Sequence, residues 1–266
     1  MADTFTKTRA DAPAGFFEAE AAGLAWLAAA TEAGGAAVVG VLHTARGSIE
    51  LERVRETAPT REHAAAFGAA LVRTHSAGAA AFGSPPEGYA GPLFIGRRPL
   101  VTARQTRWGR FYARDRVLPF LAAAVAAGTV TAAEEQTVRA ACARIEAGDF
   151  DDHEPPTRLH GDLWSGNVLW SERGAVLIDP AAHGGHRETD LAMLALFGCP
   201  HLEVVLAAYE SAAAEEGEPL RALWRERVPL HQLHPLAVHA AGHGRHYGVA
   251  LAEAAERTLA LQVQGR

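Results

Sequence analysis

Residues 4–8, Thr-Phe-Thr-Lys-Thr, alternate threonine with larger side chains and read as a short strand. Asp11 and Pro13 then supply helix-start signals. Phe16, Phe17, Glu20, Leu24 and Leu27 follow at helical spacing, until Gly34-Gly35 closes the segment. Residues 37–42 and 48–54 read as two strands around an Arg46-Gly47 turn. From Arg61 the period changes. Residues 64–80, 108–127 and 131–147 are expected to be long helices, with a Pro- and Gly-rich surface loop over residues 83–99. A strand pair, residues 168–170 and 175–178, interrupts the helices. They resume over residues 188–197, 202–215 and from 220 to the end, with breaks near Pro229 and Pro235. These elements predict an α+β chain of two lobes. A small β-containing lobe covers residues 1–55, and a mostly helical lobe covers residues 56–266.

Composition narrows the classes. Of 266 residues, 48% are hydrophobic and 21% charged, a globular balance. The net charge of −6 argues against a nucleic-acid partner. No apolar stretch is long enough to span a bilayer, and residues 1–10 lack the apolar core of a signal peptide. Cys142 and Cys199 stand far apart, so no disulfide framework is expected and a reducing cytoplasm is indicated. Oligomeric state is left open. The chain holds 58 Ala and 24 Arg but a single lysine, Lys7, and a single asparagine, Asn167. Where those two fall is therefore informative.

Asn167 falls in the sharpest motif, Leu159-His160-Gly161-Asp162-Leu163-Trp164-Ser165-Gly166-Asn167, followed by Val176-Leu177-Ile178-Asp179-Pro180. His-x-Asp, four residues, Asn, then an apolar strand ending in Asp is the order that phosphoryl transfer uses. One carboxylate, Asp162, accepts the proton of the attacking hydroxyl, while Asp179 and the Asn167 amide oxygen suit Mg2+. Taken singly, each residue could merely cap a turn or end a strand; the ordered set points to catalysis. In the same scheme a strand lysine holds the α- and β-phosphates of ATP and pairs with a glutamate on the next helix. Lys7 occupies that strand. Glu18 and Glu20 are both on the helix, and Glu20 opens the run whose apolar positions face the core.

The motif His160–Asn167, with Asp179-Pro180-Ala181, Gly185-His186-Arg187-Glu188 and Asp190-Leu191-Ala192-Met193, resembles the fructosamine kinase (ketosamine 3-kinase) family. That family is grouped with aminoglycoside and choline kinases in the protein-kinase-like fold. The resemblance runs from about Phe5 to the last helix. It implies that Asp162 is the catalytic base, that Asn167 and Asp179 are metal ligands, and that residues 52–54, Glu52 to Val54, form the hinge offering backbone groups to adenine. Asp190 would tie down the catalytic loop. The implied reaction is ATP-dependent phosphorylation of a ketosamine sugar hydroxyl. An aminoglycoside or other amino-alcohol acceptor is the alternative, and a catalytically impaired nucleotide-binding remnant is a third reading.

The chain departs from the family at its front. Only six residues precede Lys7, and no Gly-rich phosphate loop is present. Either the frame starts upstream of Met1 or the small lobe is truncated, with weak nucleotide binding expected. Ten residues separate Asp179 from Asp190, too few for a peptide platform, so a small-molecule acceptor is favoured. Trp164, two residues past the base, could stack on it or pack in the core. His239, His243 and His246 recur at helical spacing with His231 and His234 nearby. Without a Cys partner or a His-Glu-x-x-His motif, a zinc site is disfavoured, and the repeat is expected on the surface or in the acceptor pocket wall. His160 is expected to orient the loop. Arg97-Arg98 and the arginines from 104 to 116 are expected to be solvated.

Overall fold

The computed structural model describes residues 3–262. The expectations that touch residues 1–2 and 263–266 lie outside the described residues. The small lobe starts with β1 (Thr4–Thr8) and α1 (Phe16–Ala28), followed by β2 (Ala37–Val38), β3 (Val41–Ala45) and β4 (Ser48–Glu52). β4 is central in an antiparallel sheet of order β1-β4-β3. Its alternating Ile49 and Leu51 are buried under α1, against Phe17 and Leu24. The single strand expected over residues 37–42 is instead divided. β2 pairs in parallel with a strand of the large lobe, and β3 pairs with β4. The chain changes sheets at Gly40, whose carbonyl accepts from Glu52 N at 2.9 Å and where a Cβ would meet the Glu52 side chain at 2.7 Å.

The large lobe begins with α2 (Arg61–Ser76), capped by the Thr60 hydroxyl accepting from His63 N. A hairpin of β5 (Leu93–Ile95) and β6 (Arg98–Leu100) lies inside the region expected to be loop. Leu93, Ile95 and Leu100 are buried with Phe82 and Phe111, enough apolar burial to order three-residue strands. Residues 108–127 form α3 (Trp108–Phe111), a wide π turn (Tyr112–Val117) and α4 (Leu118–Ala126) rather than one uniform helix. Pro119 cannot donate to the ladder, and the buried Arg116 guanidinium donates to Val101 O and Asp115 O at this bulge. α5 (Ala132–Ala147) is closed by a Thr131–Glu134 capping box.

After α5, β7 (Thr157–Leu159) leads into the motif loop, and β8 (Val168–Ser171) and β9 (Gly174–Leu177) form the expected hairpin. β9 is the strand that receives β2. β10 (His183–Gly185) pairs with β7, a ladder that no apolar pattern foretold. Then come α6 (Arg187–Leu196), α7 (Leu202–Glu215), α8 (Val228–Ala240) and α9 (Arg245–Ala260). The break expected near Pro235 does not occur. Pro235 strips the His231 carbonyl of its helical donor, and the Tyr112 hydroxyl supplies one at 2.7 Å. The chain turns instead at residues 241–244, with Gly244 at φ 108. No helix among the described residues is long and apolar enough to cross a membrane.

α2 packs along α7 so closely that a Cβ on Gly68 would meet the Val205 carbonyl at 2.1 Å. Gly68→Ala is expected to destabilise the protein by about 2–3 kcal/mol through overpacking, read as a lowered thermal midpoint. An unchanged midpoint would show that the two helices can separate freely.

Candidate active site

The loop after β7 is held by a buried carboxylate. Asp190, on α6, accepts from His160 N at 2.8 Å through Oδ2 and from Gly161 N at 3.0 Å through Oδ1. His75 Nε2 lies 3.2 Å from the same Oδ2, and its Nδ1 lies 2.8 Å from the Tyr209 hydroxyl. His160 is itself a strut. Its Nε2 is 2.8 Å from Ile178 O, and its Nδ1 accepts from Asp162 N at 3.3 Å. Burial lowers the pKa of His160, which keeps the ring neutral and able to serve as both donor and acceptor. Gly161 adopts φ 80, where a Cβ would meet the Ala181 carbonyl at 2.3 Å.

This frame brings Asp162, Asn167 and Asp179 together. Asn167 Nδ2 donates to Asp162 O at 2.8 Å, to Asp162 Oδ2 at 3.1 Å and to Asp179 O at 3.4 Å. Asp179 takes up a left-handed φ of 54, which turns the chain sharply at the end of the hairpin. Burial, reinforced by the nearby Asp179 charge and opposed by the Asn167 bond, pushes the Asp162 carboxyl up to about 7.

Lys7 reaches the same point from β1. Its Nζ lies 2.7 Å from Glu20 Oε1 and 2.6 Å from Asp179 Oδ1. Burial opposes the lysine's charge, but the two carboxylates outweigh it and the net shift of its pKa is upward. For Glu20 burial wins and its pKa is raised despite Lys7. Glu18 is absent from this contact. A cavity of about 440 Å³ is lined by Lys7, Glu20, Asp162, Trp164, Asn167 and Asp179. Glu52 and Val54 are not brought into it; they line a separate cavity with Val38 and Val176.

Trp164 is exposed at the cavity mouth, edge-on to Phe197 at 6.1 Å. Phe197 in turn meets His239 at 4.6 Å, and His239 meets Tyr247 at 4.9 Å and His243 at 5.1 Å. His239 Nδ1 is 2.8 Å from Pro235 O; His243 and His246 are exposed, and none of the three histidines lines the cavity. His231 and His234 are buried apart from it. His231 belongs to a cluster of metal-ligand type with His186 and Glu188. Arg227 already supplies positive charge there, 3.0 Å from Glu188 and 2.7 Å from Asp152.

Sequence reading missed Arg9, Phe94 and Arg97, which also line the cavity. Arg97 is exposed as expected, whereas Arg116, also expected to be solvated, is buried because its guanidinium bonds to Val101 O and Asp115 O. The apolar spacing of Leu93, Ile95 and Leu100 around Gly96-Arg97 was the signal for the Arg97 hairpin.

A lysine strand, a glutamate helix, and a loop and hairpin carrying Asp, Asn and Asp across a cleft define the two-lobe protein-kinase-like fold in its small-molecule form. At 16% identity, a choline/ethanolamine kinase family protein from Mesorhizobium loti shares this fold with a TM-score of 0.56, over 97% of this chain and 86% of that one. The fructosamine kinase family matches residues 1–261, and the chain belongs to it, among the phosphotransferases with an alcohol group as acceptor. The crystal structure of a "putative fructosamine-3-kinase" from Thermobifida fusca is 42% identical, with a TM-score of 0.88 over 98% of this chain and 86% of that one. A "Probable ketoamine kinase" from Enterococcus faecium is 31% identical over 245 residues, 92% of this chain and 83% of that protein. The "Ketosamine-3-kinase" of Mus musculus is 33% identical over 156 residues, 58% of this chain and 46% of its own length.

Asp190→Asn would turn its amide NH2 toward one of the two backbone donors that now meet carboxylate oxygens. A loss of about 2–3 kcal/mol is expected in denaturant unfolding, and an unaltered midpoint would contradict the anchoring role.

Proposed function

We propose that the chain is an ATP- and Mg2+-dependent kinase that phosphorylates a sugar hydroxyl of a ketosamine. The observation that carries this is the convergence of Asp162, Asn167, Asp179 and Lys7 on one cavity whose mouth is aromatic. Asp162 is the group that orients the acceptor hydroxyl and accepts its proton. Lys7, fixed by Glu20, offers its ammonium to the phosphate oxygens of ATP. Trp164 supplies an apolar face on which a sugar ring stacks, next to Phe197 and His239. Glu52 N and Arg53 N are used by Gly40 O and Asp3 O, while Val54 N has no intramolecular partner among the described residues. That amide is the one we assign to adenine, with Glu52 beside it at the hinge.

The donor set fits magnesium. Asp179 contributes a carboxylate and Asn167 an amide oxygen, both hard ligands, and the neighbouring charges of Asp162 and Asp179 favour a cation between them. Bound there, Mg2+ would neutralise charge on the transferring phosphoryl group. Screening the purified protein with MgATP against fructosyl-amines and aminoglycosides tests the assignment. Phosphorylation of fructosyl-amines is expected, and turnover of aminoglycosides alone would overturn it.

A base whose folded pKa is raised is blocked by a proton below that pKa and free above it. The kcat/KM profile should therefore rise through an inflection near pH 7 in the wild type. Asp162→Asn should lower kcat by about 10²–10⁴-fold with nucleotide affinity retained; near-normal turnover would remove Asp162 from the role. Asp179→Ala should weaken Mg2+-dependent ATP binding more than Asn167→Ala, since it removes a charged ligand. Titration calorimetry reads this, and equal, metal-independent affinities would contradict it.

A further inference from the structure

Two arginines in the cavity take no part in the reaction above. β1 begins opposite Glu52 and carries Lys7 opposite Ile49, and Arg9 N continues the ladder to Gly47 O at 2.9 Å. At about 3.3 Å per residue, Arg9 lies ~6–7 Å beyond Lys7, on the same strand face and on the side away from the hinge. Arg97 reaches the cavity from the tip of the β5–β6 hairpin. That hairpin is braced against the small lobe by Phe94 on Phe16 at 5.3 Å, and the nearby Tyr89 hydroxyl donates to Gly15 O at 3.2 Å.

The two guanidiniums share one exposed carboxylate. Arg9 Nε is 3.1 Å from Asp11 Oδ1, and Arg97 Nη1 is 4.0 Å from Asp11 Oδ2. Arg9 is also stacked on Phe16 at 4.7 Å, whereas the Arg97 side chain is 76% exposed and makes only the long contact. Such an exposed pair contributes little and gives way readily to a better anion. Charge is therefore uneven along the cavity. Lys7 is matched by Glu20 and Asp179, but Arg9 and Arg97 together exceed Asp11 by one positive charge.

Geometry decides which anion this excess meets. A nucleotide whose base lies at residues 52–54 and whose α- and β-phosphates meet Lys7 directs its γ-phosphate to Asp162 and Asp179, which leaves Arg9 and Arg97 on the side of Lys7 away from the base. An acceptor whose only charge is the ammonium of the ketosamine would face two guanidiniums. We propose that Arg97, supported by Arg9, binds a carboxylate of the acceptor, so that the preferred substrates are sugar adducts of amino acids with the carboxylate free. This rests on the ketosamine reading above. The guanidinium fork suits a carboxylate bidentately, and the partly exposed setting sets the size of the effect at about tenfold.

The test compares fructosyl-glycine with fructosyl-glycinamide, which differ only in that carboxylate. With wild-type protein and MgATP, kcat/KM should be about tenfold higher for the acid. Arg97→Ala should abolish that preference while leaving kcat/KM for the amide and KM for ATP unchanged, and Arg97→Lys should restore part of it. Calorimetric binding of the two compounds to wild type and Arg97→Ala reads the same preference without turnover. Binding discrimination with no phosphorylation would thus overturn the kinase reading but not the carboxylate site. Equal kcat/KM and equal binding for acid and amide, or an Arg97→Ala variant that keeps the preference but loses ATP affinity, would overturn the proposal.

Discussion

Lys7 Nζ lies 2.7 Å from Glu20 and 2.6 Å from Asp179, and those carboxylates come from opposite sides of the cleft. The ammonium therefore fixes α1 relative to β1 and both relative to the hairpin that ends in Asp179. Without it, two carboxylates would face each other in a part-buried cavity, and mutual repulsion would open the lobes or hold a proton. The position of the small lobe over the motif loop depends on this contact. It is reinforced by β2, which leaves the small sheet to pair with β9.

A second constraint operates below the cleft. The loop of residues 160–167 has short-range turns but little apolar burial of its own beyond Leu163, and its backbone amides must find acceptors. Asp190 provides them from a helix laid down thirty residues later, and His75 ties that carboxylate to α2 and α7 through Tyr209. The helical lobe thus transmits its rigidity to Asp162. Burial that stiffens the loop also raises the Asp162 pKa toward neutrality, so the same packing serves position and proton affinity.

The cavity has distinct ends. Beside Asp162 the cavity is lined by Trp164, from which ring contacts continue outward to Phe197 and His239. β1 and the β5–β6 hairpin bring the Arg9 and Arg97 guanidiniums to the same cavity. Family membership establishes phosphoryl transfer to an alcohol; under the function proposed above, these contrasting surfaces would select the acceptor.

Much of this is legible in the sequence alone. The order His160, Asp162, Asn167, Asp179 is dictated by a short loop and hairpin, so local sequence carries it. The lone Lys7 on an alternating strand ahead of an amphipathic helix carried the other half, because strand and helix periods are local properties. What stayed illegible depended on distant partners. Pro235 continues a helix because Tyr112, more than a hundred residues away, replaces the missing donor. Residues 37–42 divide because two different sheets compete for them. The β5–β6 hairpin forms because its three apolar side chains find the core around Phe82 and Phe111, and that packing delivers Arg97 to the cleft. Local periodicity determined the elements and the order of the chemistry. Only tertiary packing decided which charges meet, since an ion pair such as Lys7 with Asp179 spans 172 positions of chain and leaves no periodic trace.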